Sequence, residues 1–314
     1  MPIACPNCGA WASETASFCE KCGYDLRPLR SSQSSNVPST NLNLGPKLED
    51  MKKASELRNR TDKIISPLWI LAPLGSLALS YTTFIFIILE LERFFASLSA
   101  SSGTTNPITP PSFPGLSYLE LVSIVRLILL LYLFYTLIKR RNLHFERQYR
   151  FFYDASLILK NLVVAKVLAA NQDVQYNLRY IDSDLTTIHY SEKERSAVLW
   201  VILAIIPIID IFAYFYIFYF LMKDFEEHES MEDLLVAKIS KVLGSMGANF
   251  SFSRENLAGE IPSRNFWLYL ILDIITLGAF QIYWIYTLIK DPDKHFQSQI
   301  QIENGILSAI NSLT

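Results

Sequence analysis

Four long apolar segments dominate the hydrophobic pattern of this chain. They cover roughly residues 67–92, 117–138, 197–222 and 266–289. Each segment is long enough to cross a hydrocarbon core, which takes about 20 helical residues. The composition agrees, because 51% of the residues are hydrophobic and only 18% are charged. We therefore predict an all-α membrane protein whose apolar segments belong to internal repeats, preceded by a small N-terminal domain.

One sequence pattern recurs at the end of three of these segments. It reads Tyr-x-x-Tyr-x-Leu-Ile/Met-Lys-x4-His, and its copies begin at Tyr132, Tyr216 and Tyr283. Tyrosines three residues apart share a helix face and suit headgroup depth, while the lysine can reach the lipid phosphates. Amphipathic stretches follow the three copies and predict helices on the membrane surface. They cover roughly residues 151–170, 231–247 and 298–313.

Each copy of the pattern ends in a histidine, namely His144, His228 or His295. The simpler interpretation is that each histidine is a polar cap on its surface helix. In the alternative, the three histidines converge about a pseudo-threefold axis and bind a metal ion or an anion.

Flanking charges predict the orientation in the membrane. The loop 139–196 contains ten lysines and arginines, whereas the loop 96–116 contains none. The positive-inside rule therefore places the first loop and both termini in the cytoplasm of a multi-pass plasma-membrane protein. The third and fourth segments either cross once each, which is our default expectation, or form re-entrant hairpins that turn near Pro207 and Gly278.

Three ionisable residues fall inside apolar segments: Arg126, Asp210 and Asp273. An unpaired charge at mid-bilayer costs about 2.5–3.5 kcal/mol on insertion scales, so partners are expected. We predict a structural pair between Arg126 and Asp210. An ion or proton path lined by Asp210 and Asp273 is the functional alternative. Placement of these residues at the headgroup boundary or in a re-entrant turn is the third.

All four cysteines lie near the N-terminus, as Cys5, Cys8, Cys19 and Cys22. Two CxxC pairs can provide the four thiolates of a tetrahedral Zn²⁺ site. Two disulfides or a redox pair are the alternatives, although a thioredoxin-like motif needs only one pair in a βαβ context. Four protein ligands leave the zinc no open position for catalysis.

The same stretch resembles the short zinc-ribbon family over roughly residues 3–27. The similarity lies in the CPxCG opening at Cys5-Pro-Asn-Cys8-Gly and in Phe18-Cys19. The resemblance implies a pair of zinc knuckles used for binding and assembly.

A second resemblance covers residues 264–300. The motifs Ile275-Thr-Leu-Gly, Ile282-Tyr-Trp-Ile-Tyr and Lys290-Asp are similar to those of the prokaryotic integral-membrane family called domain of unknown function 4234. Residues 196–230 resemble it more loosely. This resemblance implies a membrane architecture and no particular activity.

The sequence thus predicts a zinc ribbon (1–27), a disordered linker (28–46) and a helical membrane domain (47–314). The 28 basic and 30 acidic residues do not suggest nucleic-acid binding, and no catalytic motif is present. We expect no enzyme, but a protein that recruits or assembles an unknown protein partner at the cytoplasmic membrane face. A small ion or solute transporter using Asp210 and Asp273 is the main alternative, and a membrane enzyme with a histidine metal site is a third. A homo-oligomer is compatible with all three.

Overall fold

The computed structural model describes residues 3–4, 11–12, 44–101, 116–252 and 260–314. The chain divides into two units, Met1–Asn43 and Leu44–Thr314. In the first unit, strands β1 (Ile3–Ala4) and β2 (Trp11–Ala12) pair antiparallel. The predicted zinc ligands Cys5, Cys8, Cys19 and Cys22 lie outside the described residues.

The second unit is α-helical and has no strand among its described residues, which confirms the predicted all-α class. A short 3₁₀ turn, Pro67–Ile70, precedes α3. The helices are α1 (Leu44–Glu56), α2 (Arg58–Thr61), α3 (Leu71–Ser101), α4 (Leu116–Ala165), α5 (Gln172–Ser191), α6 (Ala197–Leu203), α7 (Ile209–Ser245), α8 (Phe266–Ile275) and α9 (Phe280–Leu313).

Two stretches, Pro67–Ser99 and Glu120–Ala165, are long and apolar enough to cross a membrane. They contain α3 and most of α4, which run antiparallel. The ring of Trp69 lies 5.5 Å from that of Tyr132, while Arg126 Nη1 lies 3.5 Å from Ser80 Oγ further along. Only 6% of the most apolar window of α3 is buried in the protein. Its apolar side chains therefore face outward, unlike those of a core helix.

The third and fourth apolar segments each break into a short helix, a turn and a long helix. The breaks fall at residues 204–208 and 276–279. Left-handed backbone reverses the chain at Ile208 (φ 74°), Leu277 (φ 51°) and Gly278 (φ 88°). The default expectation that each segment crosses the membrane once is therefore wrong, and the alternative of two hairpins agrees with the structure.

The entry and exit of each hairpin are joined by the same kind of ion pair. Arg195, before α6, binds both carboxylate oxygens of Asp224 on α7, at 2.6 and 2.8 Å. Arg264, before α8, does the same with Asp291 on α9, at 2.7 and 3.1 Å. The next residue in each case is the N-cap of the short helix. Bidentate arginine–carboxylate pairs fix both distance and orientation.

The three long helices α4, α7 and α9 continue without interruption through the predicted amphipathic stretches. Their apolar faces pack together with α1 and α5 in one core, which includes Ile158, Ile181, Ile239 and Ile306. The prediction of separate helices on the membrane surface is therefore wrong, because the apolar faces are covered by one another. Helix α1 contributes Met51 to this core.

A second core lies on the hairpin side of the same three helices, around Phe134, Phe218 and Trp284. Each long helix contributes first to this core and then to the other, so the three helices run in the same direction. Between the two cores, each helix has a polar stretch that contains the histidine of the sequence pattern.

Candidate metal centre

His144, His228 and His295 come together in the polar layer between the two cores. Their ring centroids lie 5.2, 5.2 and 5.3 Å apart, and the ring planes are inclined at 72–81°. One nitrogen from each ring lies within 4.8 Å of the others, and all three side chains are buried. The predicted convergence is therefore confirmed, and the simpler prediction of three surface caps is wrong.

Each histidine faces a carboxylate with its Nδ1 atom. Asp62, which follows α2, lies 3.0 Å from Nδ1 of His144. Glu192, which follows α5, lies 2.6 Å from Nδ1 of His228. Glu229 on α7 lies 3.0 Å from Nδ1 of His295. In metal sites one histidine nitrogen commonly faces such a carboxylate and the other faces the ion.

A second polar ring lies one helical turn further along. It consists of Gln148, Glu232 and Gln299, each four residues after a histidine and each almost fully buried. Gln148 Oε1 lies 2.9 Å from Nε2 of His228, and Glu232 Oε2 lies 3.6 Å from Nε2 of His295. Sequence reasoning missed this ring, although the spacing His-x3-Gln/Glu in all three copies was a usable signal.

The three imidazoles do not share one electrostatic environment. Burial lowers the pKa of His144 to about 3, although Asp62 opposes this shift. Burial also disfavours the charged form of His228, but Glu192 and Glu232 outweigh it and raise the pKa of that ring. His144 Nε2 is buried and has no hydrogen-bond partner in the described part of the chain. The ring of His144 is thus neutral and has an available nitrogen.

An arginine network holds Asp62 in place. Arg147 donates to Asp62 Oδ2 at 2.8 Å and to Glu303 Oε1 at 2.6 Å. Arg58 donates to the other oxygen of Glu303 at 2.7 Å. These residues lie on α2, α4 and α9 and are distant in sequence, so no local motif marked them.

Two of the three basic residues in Lys139-Arg-Arg, which we used as an orientation signal, are buried in the protein. Arg140 pairs with Asp293 at 2.7 Å and donates to the carbonyls of Leu288 and Ile289 at 3.2 and 3.1 Å. The carbonyl of Leu288 is the one that Pro292 leaves without its helical donor. Arg141 pairs with Asp224 at 2.9 Å.

The space beside the histidines is small. A cavity of about 10 Å³ is lined by Gln148, Glu192, His228 and Glu232, together with apolar neighbours. Such a volume admits about one water molecule. This cavity adjoins His228 and has room for a water molecule but not for an organic substrate.

The predicted intramembrane residues do not form one site. The described residues show no ion pair between Arg126 and Asp210. Counting α3–α4, α6–α7 and α8–α9 as the first, second and third hairpins, Asp210 lies at the turn of the second. It accepts the main-chain N–H of Ile211 at 2.9 Å. Asp273 lies in α8, and its Oδ1 atom is buried without a hydrogen-bond partner among the described residues.

Comparison with known proteins adds no relative. No family model, no curated protein and no solved structure matches this chain. The resemblances of residues 3–27 and 264–300 to known families therefore stay predictions, and the histidine cluster is the best-defined functional feature of the described residues.

Proposed function

We propose that this chain is an integral membrane protein that binds a divalent transition metal of the zinc class through His144, His228 and His295. The observation that carries the proposal is the arrangement of the three rings. Each histidine comes from a different long helix, each turns Nδ1 to a carboxylate, and the three rings form a nearly equilateral triangle. Zinc accepts imidazole ligands at about 2.0–2.1 Å, so the nitrogens need to approach one another by small ring movements.

The surrounding charge favours a cation over an anion. Four carboxylates, from Asp62, Glu192, Glu229 and Glu232, lie within 3.6 Å of a ring nitrogen. Arg147 is shared between Asp62 and Glu303, so it does not balance them all. Imidazole with carboxylate is a donor set that suits zinc and neighbouring first-row metals.

A structural role fits this metal better than a catalytic one. The three ligands are at most 3% exposed, and the adjoining cavity admits about one water. An ion at this point would join α4, α7 and α9 between their two cores. We therefore propose no enzymatic activity, and a metal that fixes the helical body.

The membrane location is supported by the outer surface of the protein. All six tyrosines of the sequence pattern are exposed, by 37–56%, as expected for an aromatic belt at headgroup depth. With the positive-inside rule, we propose a multi-pass plasma-membrane protein whose histidine centre and both termini lie in the cytoplasm.

The N-terminal unit supports the recruitment function. Strands β1 and β2 flank Cys5 and Cys8 in sequence, as in a zinc knuckle. We propose that Cys5, Cys8, Cys19 and Cys22 bind a second Zn²⁺, and that this ribbon contacts a protein partner. Deleting residues 1–27 should then remove a co-purifying partner without affecting membrane insertion. The transport alternative is less favoured, because Asp210 accepts a main-chain hydrogen bond in a hairpin turn and belongs to a different hairpin from Asp273.

Metal content of the full-length protein tests the proposal and separates the two sites. Elemental analysis of detergent-purified protein should find two metal ions per chain. Replacing Cys5 and Cys8 by serine should remove one ion, and replacing His144 and His228 by asparagine should remove the other. The combined variant should contain none.

His189 provides the matched control. It is the one histidine outside the cluster and is exposed, so His189→Asn should keep both ions. Equal metal content in the wild type and in the His144/His228 variant, with both proteins folded, would exclude metal binding by the histidines.

A further inference from the structure

The histidine triangle defines a common height along the three long helices. In each helix, the lysine of the sequence pattern precedes the histidine by five residues. Because the helices run in the same direction and their histidines meet, Lys139, Lys223 and Lys290 lie at about one level. That level marks where the protein enters the membrane, since lysine extends to the lipid phosphates.

From this level, the hairpins α3–α4, α6–α7 and α8–α9 extend to different depths in the membrane. Helix α4 begins 23 residues before Lys139, α7 begins 14 residues before Lys223, and α9 begins 10 residues before Lys290. At 1.5 Å per residue, these lengths are about 35, 21 and 15 Å. A hydrocarbon core is about 30 Å thick. Only the first hairpin is long enough to cross it.

A contact between α3 and the turn of the α8–α9 hairpin gives the depth of that turn independently. The hydroxyl of Tyr81 donates to the carbonyls of Thr276 and Leu277 at 3.3 and 3.5 Å, at the turn of the third hairpin. Tyr81 lies ten residues after the start of α3, and α3 continues for twenty residues beyond it. The turn between α8 and α9 therefore lies about 15 Å from the start of α3, which is about 45 Å long.

The turns of the short hairpins have the surface expected at the bilayer centre. Ile208, Ile275 and Leu277 are exposed by 77%, 71% and 75%. Irregular backbone needs internal hydrogen bonds at this depth. Thr276 Oγ1 accepts from the N–H of Phe280, and the single hydroxyl donor of Tyr81 is shared between two carbonyls of the turn.

We propose that the protein is a membrane wedge that favours curved bilayers. On the histidine side of the bilayer centre it places six helical segments, from α3, α4, α6, α7, α8 and α9. Among the described residues, the other side contains α3, α4 and only the tip of the hairpin formed by α6 and α7, which reaches about 21 Å. A larger cross-section in one leaflet favours a membrane in which that leaflet is convex. This inference rests on the membrane location proposed above and is independent of the metal.

Nanotubes pulled from giant vesicles test the wedge. Full-length protein is labelled fluorescently and reconstituted in phosphatidylcholine, and its density is compared with that of a lipid dye in the tube and on the flat vesicle. With the histidine side outward, protein should be enriched in the tube about twofold or more, a bias of about 0.4 kcal/mol. With the histidine side inward, it should be depleted, because that leaflet is then concave.

Two variants add a matched comparison. Leu277→Asn, in the turn of the third hairpin, should lower the enrichment, since asparagine tolerates left-handed backbone but makes the turn polar. Leu91→Asn lies on the exposed surface of α3, twenty residues after its start, and should leave it unchanged. An equal tube-to-dye ratio in both orientations would overturn the wedge. Protein that does not float with vesicles would instead overturn the membrane location.

Discussion

Asp62 links His144 to the arginine network of the histidine centre. One of its oxygens lies 3.0 Å from Nδ1 of His144 and the other accepts from Arg147. It follows α2 and reaches the histidine on α4 from outside the three long helices. Asp62 therefore contacts a proposed ligand from the segment that precedes α3.

We predict that Asp62→Asn weakens metal binding about 10–100-fold, the usual effect of removing a carboxylate behind a metal-bound histidine. Asparagine keeps the shape of the side chain, and Arg147 keeps its bond to Glu303, so the fold should persist. Competition with a chelator of known affinity measures the change in a chain whose Cys5 and Cys8 are serine.

Asp50→Asn is the control, because the Asp50 side chain is 49% exposed and does not reach a histidine. If Asp62→Asn and Asp50→Asn bind the metal equally well, Asp62 has no part in positioning the ligand.

The sequence pattern identified the three histidines but not the carboxylates that face them. The histidines were visible because they recur at one spacing in three copies. Asp62 and Glu192 lie in connections between helices and are not part of the repeated pattern. Only tertiary packing brings them to the histidine rings. A single-sequence pattern contains no information of that kind.

The short hairpins depend on the ion pairs that close them. A ten-residue helix such as α8 is marginal by itself, and α8 is tied to α9 by Arg264 and Asp291. Arg264 also donates to the hydroxyl of Tyr269 at 2.6 Å. The pair thus holds the start of α8 against α9.

We predict that Arg264→Gln destabilises the third hairpin locally by about 2 kcal/mol, the order of a hydrogen bond to a charged group. Amide hydrogen exchange of residues 266–275 should accelerate about 30-fold, because 1.4 kcal/mol is a factor of ten. Mass spectrometry of the protein in nanodiscs gives the amide exchange rate of each peptide.

Arg93→Gln offers a comparison, since the Arg93 side chain is 74% exposed and pairs with Glu90 within one helix. Unchanged exchange of residues 266–275 in Arg264→Gln would show that the ion pair does not hold the hairpin.

The sequence predicted the apolar segments, but it did not decide between single crossings and hairpins. Length alone made a single crossing the default for residues 197–222 and 266–289. The breaks near Pro207 and Gly278 were visible, yet the choice between the two topologies depends on contacts such as that of Tyr81 with residues 276–277. Those contacts join segments nearly two hundred residues apart.

Across the whole molecule, the shared core excludes the four-crossing topology. Ile181 on α5 and Ile239 on α7 are both fully buried in the same cluster. Four single crossings would place residues 139–196 and 223–264 on opposite sides of the membrane. Segments that share one hydrophobic core lie on the same side.

We predict that cysteines introduced at Ser183 and Ser245 react with an impermeant maleimide from the same side. Both positions are exposed, on α5 and at the end of α7, and the four native cysteines are replaced by serine. Inside-out and right-side-out vesicles give the sidedness of each. Labelling of Ser183→Cys and Ser245→Cys from opposite sides would refute the hairpin topology.

The uninterrupted helices also decide where this chain can change its length. Between lysine and histidine, an inserted residue would rotate everything beyond it by about 100° and shift it by about 1.5 Å. One insertion in α7 would thus remove His228 from the triangle, and compensation would require the same insertion in α4 and α9. The hairpin turns and the connection between α4 and α5 carry no such requirement. Homologous chains should therefore gain and lose residues there, while the five-residue interval stays constant in all three helices.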